Sequence, residues 1–151
     1  MRKSWDDYFL DIAKVVASRS PCLKAQVGAV LIDPDTKAIL ATGYNGPVRG
    51  APHCEECARS DSASGWDYDQ CPAIHAELNA IIASARNGVS ITDSILYITR
   101  MPCYTCAKAI INAGIIAVVL ENLDAVSPKV VNFLEKNSVL VRIGSVSDGV
   151  C

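Results

Sequence analysis

The sequence predicts an α/β fold with a mixed sheet, and three observations carry this prediction. An amphipathic segment at the N-terminus is followed by two β-rich segments that a turn separates. Helical and strand-like segments then alternate from residue 76 to residue 143. Such alternation is typical of parallel strands joined by right-handed crossovers. The chain has 151 residues and shows no repeat, so one domain is expected over residues 1–151.

Local patterns predict the first helix and the hairpin. Apolar residues recur with helical spacing over residues 5–16, and Ser4 with Asp7 resembles a capping box in which Asp replaces the usual Glu or Gln. Residues 26–32 and 38–44 are rich in β-formers, and the sequence DPDTK between them is typical of a turn. An antiparallel hairpin is therefore expected after the helix.

A long segment, residues 45–72, separates the hairpin from the rest of the chain. It is rich in Gly, Pro, Ser and Asp and contains three cysteines. Because a loop of this length is unusual in a compact domain, something is expected to anchor it. The elements predicted after it are a helix over 76–87 that Gly88 stops, a strand over 94–99, a helix over 102–114 with Pro at its start and Gly past its end, a strand over 115–120, a helix over 127–137 and a strand over 138–143.

Composition limits the possible function classes. Half of the residues are hydrophobic, which argues against disorder, and 14 Lys and Arg against 16 Asp and Glu give a net charge of −2. No basic run indicates a nucleic-acid surface. Acidic residues stand where a signal peptide would be apolar, and no apolar run approaches the roughly 18 residues of a membrane span. We expect a cytoplasmic protein (of the host, if the source is viral) without nucleic-acid or membrane partners.

The chain contains seven cysteines, and two pairs have C-x-x-C spacing. Without a secretory signal, such pairs are typical of metal ligands or redox centres rather than of a disulfide framework. An odd number of cysteines also fits disulfides poorly. Cys151 ends the chain, and no role is predicted for it.

The sequence AIHAELNAI, residues 73–81, places a histidine and a carboxylate two residues apart. His75 with Cys103 and Cys106 supplies one nitrogen and two sulfurs, a set that leaves the fourth tetrahedral position of zinc open to water. Residues two apart point about 200° apart around a helix, so both could face one metal only from the helix start. The two cysteines directly follow Pro102, another predicted helix start. Two helix N-termini are therefore expected to meet at one metal.

Glu77 is the predicted proton carrier of this site. Two thiolates neutralise Zn²⁺, so the metal alone acidifies water less than it would with three imidazoles, and a nearby base is needed. Considered separately, His75 also fits a hydrogen-bonded histidine of the core, and Cys103 and Cys106 also fit buried apolar residues. A purely structural zinc site is a further alternative. The combination H-x-E followed by P-C-x-x-C is the signature of zinc-dependent deaminases.

The segments HAELNAI, PCYTCAKAIINAGI and ATGYNG resemble the cytidine and deoxycytidylate deaminase superfamily. The segment SRSPCLKAQVGAV ahead of GYNG makes the deoxycytidylate (dCMP) deaminases the most similar branch. The resemblance implies a three-layer α/β/α fold around a five-stranded mixed sheet. It also implies hydrolysis of dCMP to dUMP and ammonia, which supplies dUMP for thymidylate synthesis. Glu77 would protonate N3 of the cytosine and then the departing amine.

The same resemblance implies a set of substrate residues. One part would hold the sugar or base, and another, between the first helix and the first strand, would hold the 5′-phosphate. The alternative for Tyr104 is an exposed helix residue. The alternative for Arg19, Ser20 and Lys24 is a solvated basic cluster. The implied base and sugar residues are Asn45, Ala76 and Tyr104, and the implied phosphate residues are Arg19, Ser20 and Lys24.

A second, structural zinc would anchor the long loop. Cys54, Cys57 and Cys71 lie in that loop, and the resemblance makes Cys22 the fourth ligand of a closed Cys₄ site. His53 is the alternative fourth ligand, although it adjoins Cys54. Free thiols are the alternative for the whole set.

The resemblance further implies a homo-oligomer, with a hexamer favoured, that dCTP activates and dTTP inhibits. The triphosphate, with Mg²⁺, would bind near the GYNG loop at subunit contacts. Glycines there would allow backbone conformations closed to other residues and a close approach of phosphate to N–H groups. The alternative for this loop is an ordinary turn. The alternative for Arg86 is that its charge only complements the dipole of the helix in which it lies. The implied effector residues are Gly43, Tyr44, Gly46, Arg49 and Arg86.

The sequence also allows two other interpretations of this chemistry. The catalytic motif also fits a deaminase of a nucleoside, a free base or adenosine in tRNA, although a slightly acidic chain suits a large polyanion poorly. A non-catalytic zinc module is the rival from another class, and it has no use for Glu77.

Overall fold

The computed structural model describes residues 1–61, 68–122 and 126–144, so Cys151 lies outside the described residues. The helices are α1 (Trp5–Ala17), α2 (Ala76–Asn87), α3 (Tyr104–Asn112) and α4 (Pro128–Lys136), with a 3-10 turn at Tyr68–Gln70. The strands are β1 (Gly28–Ile32), β2 (Ile39–Tyr44), β3 (Gly46–Pro47), β4 (Ala73–Ile74), β5 (Ile95–Ile98), β6 (Ala117–Leu120) and β7 (Leu140–Ile143).

Five strands form one mixed sheet in the order β2-β1-β5-β6-β7. β1 pairs antiparallel with β2 and with β5, whereas β5, β6 and β7 run parallel to one another. The predicted hairpin, the parallel half and the strand number are thus confirmed. The antiparallel pairing of β1 with β5 joins the two halves of the chain into one sheet.

The two faces of the sheet carry separate apolar clusters, which gives three layers. Side chains alternate along β1, so Ala29 and Leu31 belong to one cluster while Val30 and Ile32 belong to the other. α1 packs on the second cluster, and residues of α2, α3 and α4 belong to the first. Two successive right-handed crossovers, through α3 and α4, leave both helices on the same face.

The predicted helix ends are close to the observed ones, with one correction. The side chain of Ser4 caps α1 by accepting a hydrogen bond from the Asp7 N–H, and Gly88 ends α2 with a left-handed φ of 66°. α3, however, begins at Tyr104 with Cys103 as its N-cap. Pro102 therefore lies before the cap rather than at the first helical position, because the Cys103 sulfur takes the capping role.

The long loop is closed at its two ends by backbone pairing. β3 and β4 form a two-stranded antiparallel ribbon in which Gly46 pairs with Ile74 and Pro47 with Ala73. Between these ends, the Lys24 ammonium donates a hydrogen bond to the backbone carbonyl of Arg59. The expected anchoring thus comes at least in part from the chain itself. Within the described residues, no helix is long and apolar enough to span a membrane.

Candidate active site

Two helix N-termini meet at the candidate metal site, as predicted. His75 is the N-cap of α2 with extended backbone (φ −68°, ψ 155°), and Cys103 is the N-cap of α3 (φ −75°, ψ 170°). The extended cap removes His75 from the helical wheel, so it and Glu77 can approach one point despite their spacing. The Cys103 sulfur accepts a hydrogen bond from the Cys106 N–H, which holds both cysteines at the start of α3.

The three ligand atoms are spaced for one tetrahedral metal ion. His75 Nδ1 lies 3.6 Å from Cys103 Sγ and 3.4 Å from Cys106 Sγ. Zn–S bonds of about 2.3 Å and Zn–N bonds of about 2.0 Å at tetrahedral angles would place nitrogen and sulfur about 3.5 Å apart. Among the described residues, these three form the one group of His, Cys, Asp or Glu whose ligand atoms all lie within 4.8 Å of one another. The residues present therefore fit zinc.

The two cysteine sulfurs and the imidazole of His75 shift one another's pKa values. The hydrogen bond from Cys106 lowers the pKa of the Cys103 thiol to about 4, with a further contribution from His75. The same bond, together with burial, raises the pKa of Cys106. The hydrogen bond to Cys103 also raises the pKa of His75 against the effect of burial. Cysteine sulfur and imidazole nitrogen are the donor types that zinc prefers in proteins.

Glu77 lies in the first turn of α2 and is only 4% exposed. Burial raises the pKa of its carboxyl group, although hydrogen bonds from its own backbone N–H and from the Cys106 thiol oppose this effect. A carboxyl group whose pKa is raised above its usual value is suited to accept a proton and to return it later. The side chain that the sequence predicts as proton carrier therefore has the environment that this role requires.

A cavity of about 670 Å³ opens beside the ligands and Glu77. Lys24, Asn45, Ala76 and Tyr104, all predicted to bind substrate, line this cavity. The Asn45 amide accepts a hydrogen bond from the Val27 N–H at 2.8 Å and donates one to the Ala25 carbonyl at 2.7 Å. These two bonds fix the face that the Asn45 amide presents to the cavity.

Tyr104 lines the cavity and is 38% exposed. Its ring packs against Phe133 at 4.6 Å between centroids, and the ammonium groups of Lys129 and Lys108 lie 4.8 Å and 5.6 Å from its centre. Cations over an aromatic face stabilise it by roughly 0.5–1 kcal/mol at exposed sites. Tyr104 thus lines the same cavity as His75 and Cys103, and its contact with a bound base stays a prediction.

The three residues predicted to hold a 5′-phosphate are not brought together. Lys24 lines the cavity, whereas Arg19 lies in a separate groove. Ser20 is buried, and its hydroxyl donates to the Asn45 carbonyl at 2.7 Å and accepts from the Cys22 N–H at 3.2 Å. The hydroxyl of Ser20 thus supports the loop that carries Asn45, and Arg19, two residues past the end of α1, lines the groove rather than the cavity.

The four cysteines predicted for a second zinc do not form a metal-type cluster within the described residues. Cys22 and Cys71 line the cavity, whereas Cys54 and Cys57 do not, and all four are partly exposed free thiols. His53 lines the separate groove. The second zinc therefore stays a prediction.

The predicted effector residues do lie together. A groove of about 540 Å³ is lined by Gly43, Tyr44, Gly46, Arg49 and Arg86, and Arg19 joins them. The groove lies over β2, the edge strand of the sheet, and over α2.

One of the two reasons predicted for Gly43 and Gly46, a special backbone conformation, is wrong. Neither Gly43 nor Gly46 has a positive φ, so neither needs the conformational freedom of glycine. A Cβ on Gly43 would instead collide with the Ala76 carbonyl and the Ala80 N–H. Gly43 is therefore required for the close packing of β2 against α2, the helix that carries His75 and Glu77.

The sequence patterns do not predict three cationic residues of the cavity. Arg59, Arg100 and Lys129 line it together with Lys24. Arg100 could have been found from its place shortly before Pro102 and Cys103. Nothing in the local sequence indicates that Arg59, within the long loop, is buried in the wall of the cavity.

Comparisons with known proteins agree with this geometry. The family model of the cytidine and deoxycytidylate deaminase zinc-binding region matches residues 3–122. This chain belongs to that family. The match includes the two helix starts that supply the ligands and Glu77.

Named relatives and solved structures add detail. The chain is 39% identical over 145 residues to a deoxycytidylate deaminase of Schizosaccharomyces pombe, covering 93% of this chain but 44% of the relative. It is 40% identical over 127 residues to a deoxycytidylate deaminase of Mycobacterium phage D29, covering 78% of this chain and 94% of the relative. The dCMP deaminase of cyanophage S-TIM5, solved in complex with dCMP and dUMP, superposes with a TM-score of 0.78 at 27% identity, covering 95% and 98% of the two chains. The chain thus spans under half of the yeast relative and nearly all of the two phage proteins.

Proposed function

We propose that this chain catalyses the hydrolytic deamination of dCMP to dUMP and ammonia, and so supplies dUMP for thymidylate synthesis. The observation that carries the proposal is the convergence of His75, Cys103 and Cys106, at distances that suit one zinc ion, with the buried Glu77 in one cavity. Relatives over most of this chain are named deoxycytidylate deaminases, and the S-TIM5 enzyme was solved with dCMP and dUMP. The zinc ligands alone would suit any member of the family.

The chain's own residues divide the work of the reaction. His75, Cys103 and Cys106 would hold zinc, which supplies Lewis-acid activation of a water molecule when bound. Glu77 takes a proton from the attacking water, transfers it to N3 of the cytosine, and carries a second proton to the departing amine. Burial of Glu77 helps because a raised pKa makes the carboxylate a stronger base toward the attacking water and keeps the carboxyl group protonated until it transfers the proton.

Substrate positioning follows from the cavity wall. Asn45, held by its bonds to Val27 and Ala25, is suited to donate or accept at the sugar. The backbone of Ala76 lies beside His75 and can help to orient the base, and Tyr104 is suited to lie against it. The four cations of the wall favour an anionic substrate over a neutral nucleoside.

A substrate panel tests the proposed function. Ammonia release is measured with zinc-loaded protein and cytosine, deoxycytidine, dCMP, dCTP or CMP. The expected result is the highest kcat/KM for dCMP. A clear preference for deoxycytidine over dCMP, or no turnover of any of the five compounds, would overturn it.

We also propose a second, structural zinc bound by Cys22, Cys54, Cys57 and Cys71, which would anchor the loop between β3 and β4. The shared position of Cys22 and Cys71 in the cavity wall supports half of this ligand set. Metal analysis should find about two zinc ions per chain, and Cys57→Ser should remove one. One zinc per chain in both proteins would end the idea.

We propose further that the groove over β2 and α2 binds dCTP or dTTP with Mg²⁺, in a homo-oligomer that is favoured to be a hexamer. The arginines Arg19, Arg49 and Arg86 in one groove support a polyanionic ligand. Coupling requires that the two nucleotides favour different states of the oligomer. The rate against dCMP concentration should then be sigmoidal, steeper with dTTP and nearly hyperbolic with dCTP, and Arg86→Glu should abolish both responses. A hyperbolic rate curve from a monomer, indifferent to both nucleotides, would exclude this regulation.

A further inference from the structure

Asn79 lies in α2, four positions after His75 in the sequence, and lines the groove over β2 and α2. It is not one of the three metal ligands, and it does not line the catalytic cavity. Asparagine is a poorer helix former than alanine or leucine, because its amide competes for backbone hydrogen bonds. Helix propensity therefore does not explain an asparagine at this position, and the contacts of its side chain do.

The Asn79 amide donates hydrogen bonds to two backbone carbonyls. Its Nδ2 atom lies 2.8 Å from the Tyr44 carbonyl oxygen and 3.4 Å from the Ile74 carbonyl oxygen. Carbonyl oxygens only accept hydrogen bonds, so the amide nitrogen must face them, and both of its hydrogens are used. Tyr44 and Ile74 are the last residues of β2 and β4. The Asn79 side chain thus ties α2 to the ends of two strands.

The first of these carbonyls leads into a residue of the catalytic cavity. The Tyr44 carbonyl belongs to the peptide group whose N–H is that of Asn45, and this N–H donates to the Val27 carbonyl at 3.3 Å. A peptide group is planar, so a bond at its oxygen and another at its nitrogen fix its orientation. Asn79 and Val27 therefore set the direction in which the chain enters Asn45, which lines the cavity.

The second carbonyl leads into the metal ligand on α2. The Ile74 carbonyl belongs to the peptide group whose N–H is that of His75. The backbone N–H of Asn79 also donates to the His75 carbonyl at 2.9 Å, so Asn79 contacts the chain on both sides of the ligand. The imidazole makes no capping hydrogen bond to α2. The backbone of His75 is thus oriented by Asn79 together with the β3–β4 ribbon, in which Ile74 pairs with Gly46.

We propose that Asn79 is a positioning residue for the reaction, which holds the metal ligand His75 and the cavity residue Asn45 in a fixed relative position. One amide restrains both, because its two donors reach the two strand ends that carry them. The effect on substrate binding rests on the proposed function, whereas the effect on the metal ligand does not. Groups that orient a metal ligand typically change metal affinity about 10- to 100-fold when they are removed.

The variants Asn79→Ala and Asn79→Asp test the metal side of this role with the metal alone. Asn79→Ala should weaken zinc binding roughly 10-fold, at the low end of that range, because the β3–β4 ribbon remains. The visible absorption spectrum of Co²⁺-loaded protein should shift, since it reports how the ligands are arranged around the metal. Asn79→Asp should have larger effects on both, because a carboxylate without a donor would face two carbonyl oxygens.

The substrate side is tested with dCMP and dUMP on protein saturated with zinc. Asn79→Ala should raise KM for dCMP about 2- to 10-fold, the range that the loss of one neutral hydrogen bond gives. Calorimetry should show dUMP binding weakened by a similar factor, which needs no turnover. Both effects follow from a less firmly oriented Asn45.

Asn137→Ala is the matched control. The Asn137 amide also donates to a backbone carbonyl at 2.8 Å, that of Phe133, but it lies at the end of α4 and lines neither the cavity nor the groove. Losing this bond should lower the urea midpoint about as much as Asn79→Ala does. It should leave zinc affinity, the cobalt spectrum and KM for dCMP unchanged, so a loss of stability alone does not imitate the positioning role.

Three outcomes overturn the inference. The first is an Asn79→Ala protein with the zinc affinity and cobalt spectrum of wild type. The second is an Asn137→Ala protein that changes them as much as Asn79→Ala does. The third is an Asn79→Asp protein that binds zinc as well as wild type. A wild type that binds zinc but leaves dCMP unchanged would contradict the proposed function, and the metal measurements would still decide the role of Asn79.

Discussion

At the residue scale, the site depends on how the side chains of His75 and Glu77 reach one point although the two residues are two positions apart in the sequence. In a continuous helix their side chains would diverge by about 200°. The extended N-cap conformation of His75 removes this conflict, because His75 precedes the first helical residue and its imidazole does not follow the helical spacing. Glu77, inside the first turn, then lies near the same helix end, where backbone N–H groups can stabilise its negative charge. Histidine is an uncommon N-cap, and the structure gives it no capping hydrogen bond.

Replacing Glu77 by Gln tests the proton-transfer role at this scale. The change keeps the size of the side chain and removes its ability to accept and return a proton. Activity on dCMP should fall about 10²- to 10⁴-fold, the usual contribution of general acid–base catalysis. Zinc content, measured by metal analysis, should be unchanged because Glu77 is outside the ligand group. Full activity in Glu77→Gln with zinc bound would remove Glu77 from the mechanism.

At the element scale, α2 is positioned by its contact with β2. Gly43 is buried in β2, and the backbone of α2 at Ala76 and Ala80 fills the space that a side chain would need. Since Ala76 follows His75 directly, any shift of this helix moves the metal ligand and Glu77 together. Packing of strand against helix is thus coupled directly to the catalytic geometry.

The substitution Gly43→Ala should therefore destabilise the fold by about 1–3 kcal/mol, the usual cost of overpacking. It should also lower kcat/KM for dCMP by displacing the start of α2. Gly46→Ala is the matched control, because its new methyl would meet only the Pro21 ring at 3.1 Å. Urea denaturation and steady-state kinetics of both variants check this. If Gly43→Ala is as stable and active as Gly46→Ala, the packing explanation fails.

Sequence patterns predict most elements, and the reason is local. Helical and strand periodicity, together with stop signals such as Gly88, depend on neighbouring residues, so the helices and the five main strands are predicted within a few residues. The metal site is predicted because its three ligands occupy helix starts. The β3–β4 ribbon, the burial of Arg59 and the place of Arg19 in the groove depend on segments far apart in sequence. Local sequence patterns therefore do not predict these three features.

At the scale of the whole molecule, one buried polar network joins both ends of the described chain. Asp6 of α1 is 3% exposed and accepts hydrogen bonds from the Tyr97 hydroxyl at 2.7 Å and from the Arg142 guanidinium at 2.9 Å. Tyr97 lies in β5, at the centre of the sheet, and Arg142 in its last strand. Burial alone would raise the pKa of Asp6, but the bonds from Arg142 and Tyr97 outweigh it and lower the pKa below 3.8.

This network predicts a pH-dependent stability. A carboxyl group whose pKa is lower in the folded state contributes stability above its unfolded pKa of about 3.9, and loses it as pH falls through the folded value. Asp6→Asn should thus lower the free energy of unfolding at pH 7 by about 1.5–3 kcal/mol, the range for hydrogen bonds to a charged group. The difference from wild type should shrink as the pH falls below 4. Urea denaturation across this range checks it, and a difference that does not change with pH would contradict the charged role of Asp6.

The central claim is that this chain deaminates dCMP at the zinc site of His75, Cys103 and Cys106. The most direct measurement follows dUMP and ammonia formed from dCMP by protein that has been stripped of metal and then reloaded with zinc. The account predicts no turnover without metal, and its recovery on zinc addition with one ammonia released per dUMP. Turnover that persists after the metal is removed, or a zinc-loaded protein that leaves dCMP unchanged, would contradict it.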